Sequence, residues 1–203
     1  MKIKVCGMRA AANIQAVATL PIDYMGFIFY APSPRYTSHF PKIDFPNKIK
    51  KVGVFVNASP AVIAHYQITF GLDIAQLHGQ ESPTYCANIQ TLGLEIWKAF
   101  SIDTQFDFQQ LEAYQACCSH FVLDAKGKAP GGNGHTFDWD SLAQYQLEQP
   151  FFLSGGIGME QVERLKTWSH PACVGLDVNS RFEIAPAQKD VEQLATFIQQ
   201  VSQ

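Results

Sequence analysis

The chain lacks several things that would decide its class at once. No Cys-x-x-Cys pair occurs, and five cysteines (Cys6, Cys86, Cys117, Cys118 and Cys173) at irregular spacing suggest neither a disulfide framework nor a zinc site. No apolar run is long enough to cross a bilayer. The opening residues from Met1 to Gly7 lack the apolar stretch and cleavage site of a secretory leader. The expectation is a cytoplasmic protein with no membrane contact. No long basic run is present and the formal net charge is −3, which argues against nucleic acid as a partner. The six histidines show no metal-ligand spacing. Low-complexity tracts and solenoid repeats are also missing.

What remains is an ordinary globular composition, 47% hydrophobic and 16% charged over 203 residues. A chain of this length buries a full core without staples. Short apolar runs alternate with helix-like stretches from end to end. Strands are predicted at residues 3–6, 25–30, 51–56, 74–77, 96–99, 121–124, 151–154 and 174–178. They are rich in Val, Ile and Phe and are continuously apolar, as in a parallel sheet covered on both faces. Helix starts are marked by Ser59-Pro60 and Ser82-Pro83, each an N-cap residue before a proline, and by Asp190 before Val191, Leu194, Ile198 and Val201. Val162 and Leu165 mark an apolar face after Gly158. The second unit is the weakest, because Pro41 and Pro46 bracket it. Cys117-Cys118 is read as the end of a helix, and Cys86 and Cys173 as core residues.

Eight strand–helix units in about 200 residues meet the lower size limit of a (β/α)8 TIM barrel. The expectation is one such α/β domain spanning residues 1–203. In a parallel barrel the carboxyl ends of all strands meet on one rim, where barrel enzymes keep their sites. The residues predicted there are Cys6, Arg35, Asn57, Gln76, His78, Lys98, Asp124, Ser154, Asp177 and Ser180. Ser154-Gly155-Gly156 stands after the seventh strand, where glycine lets backbone N–H groups approach an anion; phosphate is the expected ligand. The glycine-rich segment at 126–136 is read as a mobile cover over the rim.

The ordered motifs Val5-Cys6-Gly7-Met8-Arg9, Gly26–Tyr30 with Ser33-Pro34-Arg35-Tyr36, Val52–Asn57, Gln76-Leu77-His78-Gly79, Leu123-Asp124, Gly131–Gly134 with Thr136–Trp139, and Leu153–Gly156 resemble the phosphoribosylanthranilate isomerase family. The resemblance covers nearly the whole chain. It implies an enzyme of tryptophan biosynthesis that rearranges an aminosugar phosphate with no cofactor and no metal. By the same resemblance, Cys6 is the general base and Asp124 the general acid. Arg35 meets the anthranilate carboxylate, and Asp177 meets the anthranilate or ribose portion. Gln76 and His78 stand on the rim as further substrate contacts. Gly134, Gly155, Gly156 and Ser180 face the phosphate. Cys6 must reach the thiolate, which nearby positive charge favours; Asp124 must carry a proton near neutral pH, which burial favours.

Two departures from the family pattern fall where phosphate is expected: Arg181 stands after Ser180 where the family has glycine, and Pro186-Ala187-Gln188 replaces Pro-Gly before Lys189. A phosphosugar epimerase is a rival, but it needs metal-ligating His and Asp pairs that the strand ends do not supply. A histidine-pathway isomerase would carry aspartate in place of Cys6. A catalytically silent phosphosugar-binding barrel is the rival from another class. Monomer and homodimer both stay open.

Overall fold

The computed structural model describes residues 1–39, 41, 43, 45–125 and 139–202. Eight parallel strands close into a barrel in chain order, β1 (Lys2–Val5), β2 (Tyr24–Ile28), β3 (Lys50–Phe55), β4 (Ile74–Leu77), β5 (Glu95–Ile102), β6 (His120–Ala125), β7 (Phe151–Ser154) and β8 (Cys173–Val178), with β8 pairing back onto β1. Every predicted strand is present, with ends shifted by a residue or two; β5 is the exception, running three residues beyond its predicted end.

Among the described residues five α-helices pack outside: α1 (Ala11–Ala18), α2 (Pro60–Phe70), α3 (Pro83–Gln90), α4 (Val162–Thr167) and α5 (Val191–Val201). The predicted caps operate. Ser59, Ser82 and Asp190 each accept a hydrogen bond from the backbone N–H three residues on, so one orphan donor of each helix is satisfied. Gly71 ends α2 at φ 59°, a left-handed position that glycine occupies without a Cβ penalty.

The regular alternation fails in three places. Among the described residues no helix stands between β2 and β3, where Pro41 and Pro46 deny a helix its interior N–H donors. Among the described residues, the 3₁₀ segments Phe108–Tyr114 and Trp139–Gln144 follow β5 and β6. A short antiparallel ribbon, β9 (Glu183–Ala185) with β10 (Gln188–Lys189), comes after β8 and leads into α5.

Strand residues alternate between the barrel lumen and the surrounding helices. The lower lumen is filled by Tyr24, Val52, Ile74, Trp97, Ala99, Val122 and Phe152. Trp97 stacks on Phe152 at 4.6 Å and meets the edge of Tyr24 at 4.9 Å. That plug is a packed floor. Two residues further along each strand, the same inward phase presents Lys4, Gly26, Gln76, Asp124, Ser154 and Asp177 toward the carboxyl rim. No helix among the described residues is long and apolar enough to cross a membrane.

Candidate active site

The carboxyl rim holds an open cavity of about 220 Å³. Cys6, Gln76, His78, Asp124, Gly155, Gly156, Asp177 and Ser180 all line it, so eight of the predicted site residues converge. Gly134 lies outside the described residues, as does the predicted cover at 126–136. Arg35 is described but does not line the cavity.

Cys6 directly succeeds β1 and keeps the ladder by donating its N–H to the Val178 carbonyl at 2.9 Å. Its thiol is buried at 5% exposure. The side chain owes its room to Gly26 on the neighbouring strand: a Cβ there would stand 2.7 Å from Cys6 Sγ and 3.2 Å from Lys4 Nζ. Lys4 is the residue that sequence reasoning missed. It is wholly buried and donates to Asp177 Oδ2 at 2.7 Å. Its inward position two residues before Cys6 was the available signal, since a buried lysine on a barrel strand requires a partner.

The charges around the thiol work against one another. Burial pushes the Cys6 thiol up; the Lys4 ammonium pulls it down, Asp177 pushes it up again, and Lys189 pulls down, with burial prevailing. The resting group is therefore a thiol, and a thiolate is reached against that bias. Burial would lower Lys4, but the Asp177 carboxylate and Cys6 outweigh it and hold the ammonium protonated. Asp177 is raised by its own burial, with Lys4 opposing.

Across the cavity, Asp124 on β6 is half-buried and its Oδ2 lies 3.3 Å from His78 Nε2. His78 Nδ1 in turn lies 3.4 Å from Gln76 Nε2, so amide, imidazole and carboxyl form a row along the β4–β6 side. The Nδ1 contact orients the ring and leaves Nε2 toward Asp124. Gln76 Oε1 and Asp177 Oδ1 are buried acceptors with no partner among the described residues. Unpaired buried acceptors of this kind mark where a ligand donor fits.

Arg35 is held by a partner within the protein. Its fork grips Glu183, with Nε 2.9 Å from Oε1 and Nη2 2.6 Å from Oε2. Glu183 also accepts from Lys189 Nζ at 2.6 Å, and Lys189 donates to Asn179 Oδ1 at 2.8 Å. The carboxylate that matches the guanidinium is thus one of the protein's own. The sequence marked Lys189 only as part of a departure from the family pattern and did not mark Glu183; the β9–β10 ribbon brings the two together. Arg35 reaches the rim over Gly7, where a Cβ would stand 2.8 Å from Arg35 Cδ and 2.7 Å from Asn179 Oδ1. Gly7 also holds φ 75°, so both its backbone and its lack of a side chain are required.

After β7, Gly155 and Gly156 take φ values of 94° and 68°. A Cβ at Gly155 would lie 2.3 Å from the Ala125 carbonyl, whereas Gly156 faces open space. Gly155 therefore serves close packing on β6, and Gly156 presents bare backbone to the cavity. The helical segment beyond these glycines is short. One 3₁₀ turn (Met159–Gln161) precedes the six-residue α4, and Gln161 already accepts the Gly158 N–H at 2.6 Å. Arg181 lines the cavity mouth, exposed, 3.7 Å from Glu160.

A closed parallel barrel with a buried thiol facing an imidazole–carboxyl pair across its carboxyl rim defines a class: a TIM-barrel enzyme built for acid–base chemistry on a small ligand. Residues 3–200 match the model of the N-(5'-phosphoribosyl)anthranilate isomerase family. The isomerase of Parabacteroides distasonis is 43% identical over 99% of this chain and 93% of its own length, and that of Phocaeicola vulgatus is 42% identical over 100% and 98%. The crystal structure of the Thermotoga maritima enzyme superposes with a TM-score of 0.85 at 28% identity, covering 100% of this chain and 98% of that one. Another isomerase structure, in complex with reduced 1-(o-carboxyphenylamino)-1-deoxyribulose 5-phosphate, gives 0.83 at 26% identity, with 100% and 98% covered. This chain belongs to the N-(5'-phosphoribosyl)anthranilate isomerase family.

Proposed function

We propose that Cys6 is the general base and Asp124 the general acid of a phosphoribosylanthranilate isomerase acting in tryptophan biosynthesis. The observation that carries this reading is their placement: a thiol after β1 and a carboxyl on β6 line one cavity of about 220 Å³ from its two sides. The reaction converts N-(5'-phosphoribosyl)anthranilate to 1-(2-carboxyphenylamino)-1-deoxyribulose 5-phosphate.

The chemistry needs two proton transfers. Asp124 protonates the furanose ring oxygen, and the C1–O bond breaks as the anthranilate nitrogen supplies electrons, giving an iminium. The iminium acidifies the C2 proton, which the Cys6 thiolate removes. The resulting enolamine tautomerises to the ketone. Such positioned acid–base steps contribute about 10²–10⁴ each. Cys6 reaches the thiolate by giving its proton to solvent, with Lys4 stabilising the anion against burial. After the product leaves, Cys6 sheds the C2 proton to solvent and Asp124 takes one back, so both groups are restored.

Substrate grip rests on the unpaired groups. Gln76 Oε1 and Asp177 Oδ1 accept from ribose hydroxyls or the anthranilate N–H. Backbone N–H groups at Gly155 and Gly156, with the Ser180 hydroxyl, take the phosphate, and Gly134 is assigned to the same group. Arg35 offers Nη1 to the anthranilate carboxylate while Glu183 holds Nε and Nη2 in place. The Thermotoga maritima relative exists as a dimer that has been split into monomers; a homodimer is the reading we favour for this chain.

The test is a fluorescence assay that follows the loss of freshly prepared phosphoribosylanthranilate. Cys6→Ala and Asp124→Asn each lower kcat by at least about 100-fold while product affinity stays within a few-fold. Near-normal kcat in Cys6→Ala overturns the base assignment; wild-type binding without turnover overturns the activity.

A further inference from the structure

On the outer side of the barrel, away from the rim cavity, three of the remaining cysteines meet. The sulfurs of Cys86 on α3 and of Cys117 and Cys118, in the turn before β6, all lie within 4.8 Å of one another. All three residues are buried, at 0%, 5% and 5% exposure. We propose that this tris-thiol cluster is a binding site for a soft, three-coordinate d¹⁰ cation, monovalent copper being the best fit.

The geometry supports a shared centre more than ordinary core packing. Adjacent residues in extended chain point to opposite sides. Here the turn that ends the Phe108–Tyr114 segment directs both Cys117 and Cys118 inward, with sulfurs 3.9 Å apart. A point equidistant from three sulfurs at that spacing lies about 2.3 Å from each, which is the length of a metal–thiolate bond. At the 4.8 Å upper bound the distance is about 2.8 Å, so closure asks each sulfur to move by at most about 0.5 Å.

The donor set also selects the ion. Thiolate sulfur prefers soft cations. Zinc in protein sites is almost always four-coordinate, and no fourth His, Cys, Asp or Glu joins this group among the described residues. Nearby Glu81 is fully engaged: its oxygens accept from the Asn57 and Gly79 N–H groups at 2.8 Å and face Lys98 Nζ at 3.3 Å. Three sulfurs and nothing more describe a trigonal soft-metal site. Lys98, also buried, offsets part of the negative charge that three thiolates carry. A cavity of about 360 Å³ lies nearby, and its wall includes Tyr114, the residue whose carbonyl accepts from Cys117 Sγ at 3.3 Å. Binding breaks up to three S–H bonds, forms three metal–sulfur bonds and releases the protons to solvent. No electrons are transferred.

The experiment is an anaerobic titration of the intact protein with Cu(I), supplied as its acetonitrile complex and read against a colorimetric Cu(I) chelator. The expected result is one equivalent held against the chelator, with three sulfur neighbours in the copper-edge absorption spectrum of the wild-type complex. Cys86→Ser, Cys117→Ser and Cys118→Ser each weaken retention at least tenfold, while Cys173→Ser does not. Two or fewer sulfurs around the copper, or retention unchanged in the triple variant, overturns the proposal. So does loss of retention confined to Cys6→Ala, which places the ion in the catalytic cavity. The wild-type spectrum decides the matter even where a serine variant fails to fold.

Discussion

Lys4→Met and Asp177→Asn remove opposite halves of one buried pair, and the two variants should move the catalytic thiol in opposite directions. The ammonium of Lys4 and the sulfur of Cys6 both crowd the space that a Cβ at Gly26 would take, so they lie within about 6 Å of each other. At an effective dielectric constant of about 20, a unit charge at that distance is worth about 3 kcal/mol, or about two pH units of thiol titration. Lys4→Met takes away a charge that favours the thiolate, so the Cys6 thiol rises further and the ascending limb of the kcat–pH profile moves up by about two units. Below the shifted limb kcat falls about 100-fold. Asp177→Asn takes away a charge that opposes the thiolate, so the limb moves down. Both variants lose stability, because breaking a buried ion pair strands its partner; the cost is about 3–5 kcal/mol. For a domain of this size that lowers Tm by about 6–20 °C.

The assays are kcat against pH by fluorescence, and thermal melts on the same preparations. A purely structural pair would lower Tm in both variants and leave both profiles where they were. Unmoved profiles, or profiles shifted the same way, would refute the electrostatic reading of Lys4.

Other consequences are as specific. Arg35→Ala should raise KM strongly with a smaller effect on kcat, and Glu183→Gln should raise KM as well, because the fork that orients Arg35 is lost; an unchanged KM in Glu183→Gln would show that the pair does not position Arg35. Gly155→Ala forces a Cβ to 2.3 Å from the Ala125 carbonyl at φ 94°, so the protein should lose about 1–3 kcal/mol or more, visible as a lower denaturation midpoint. Glu95 is held well below its ordinary 4.5 by hydrogen bonding from His120, against burial, with help from Trp97 and Ser119. A carboxylate depressed on folding stabilises the fold above its unfolded value and loses that contribution as pH falls through the acid range. Glu95→Gln should therefore flatten the decline of Tm below about pH 4.5, and an identical slope in both proteins would contradict this.

Much of this was legible in the residues themselves. Strand order, the caps at Ser59, Ser82 and Asp190, and the convergence of Cys6, Asp124, Gln76, His78 and Asp177 arise from local pattern, since parallel strands send all their carboxyl ends to one rim. The motif Val5-Cys6-Gly7-Met8-Arg9, read with its ordered companions, pointed to the isomerase family that full-length comparison bears out. Lys4 drew no reading from the sequence, because a charged side chain is rarely buried without a partner and its partner is remote in the chain.

Three things belonged to the tertiary structure alone. Arg35 is paired with Glu183, 148 positions away; Lys4 is paired with Asp177, 173 positions away; and Cys86 meets Cys117 and Cys118 across the face between α3 and the turn before β6. Local propensity and periodicity extend over a turn of helix or a few residues of strand, so they reveal which way a side chain faces. Which group waits for it there depends on closing the barrel, and closure brings together parts of the chain that share no local pattern.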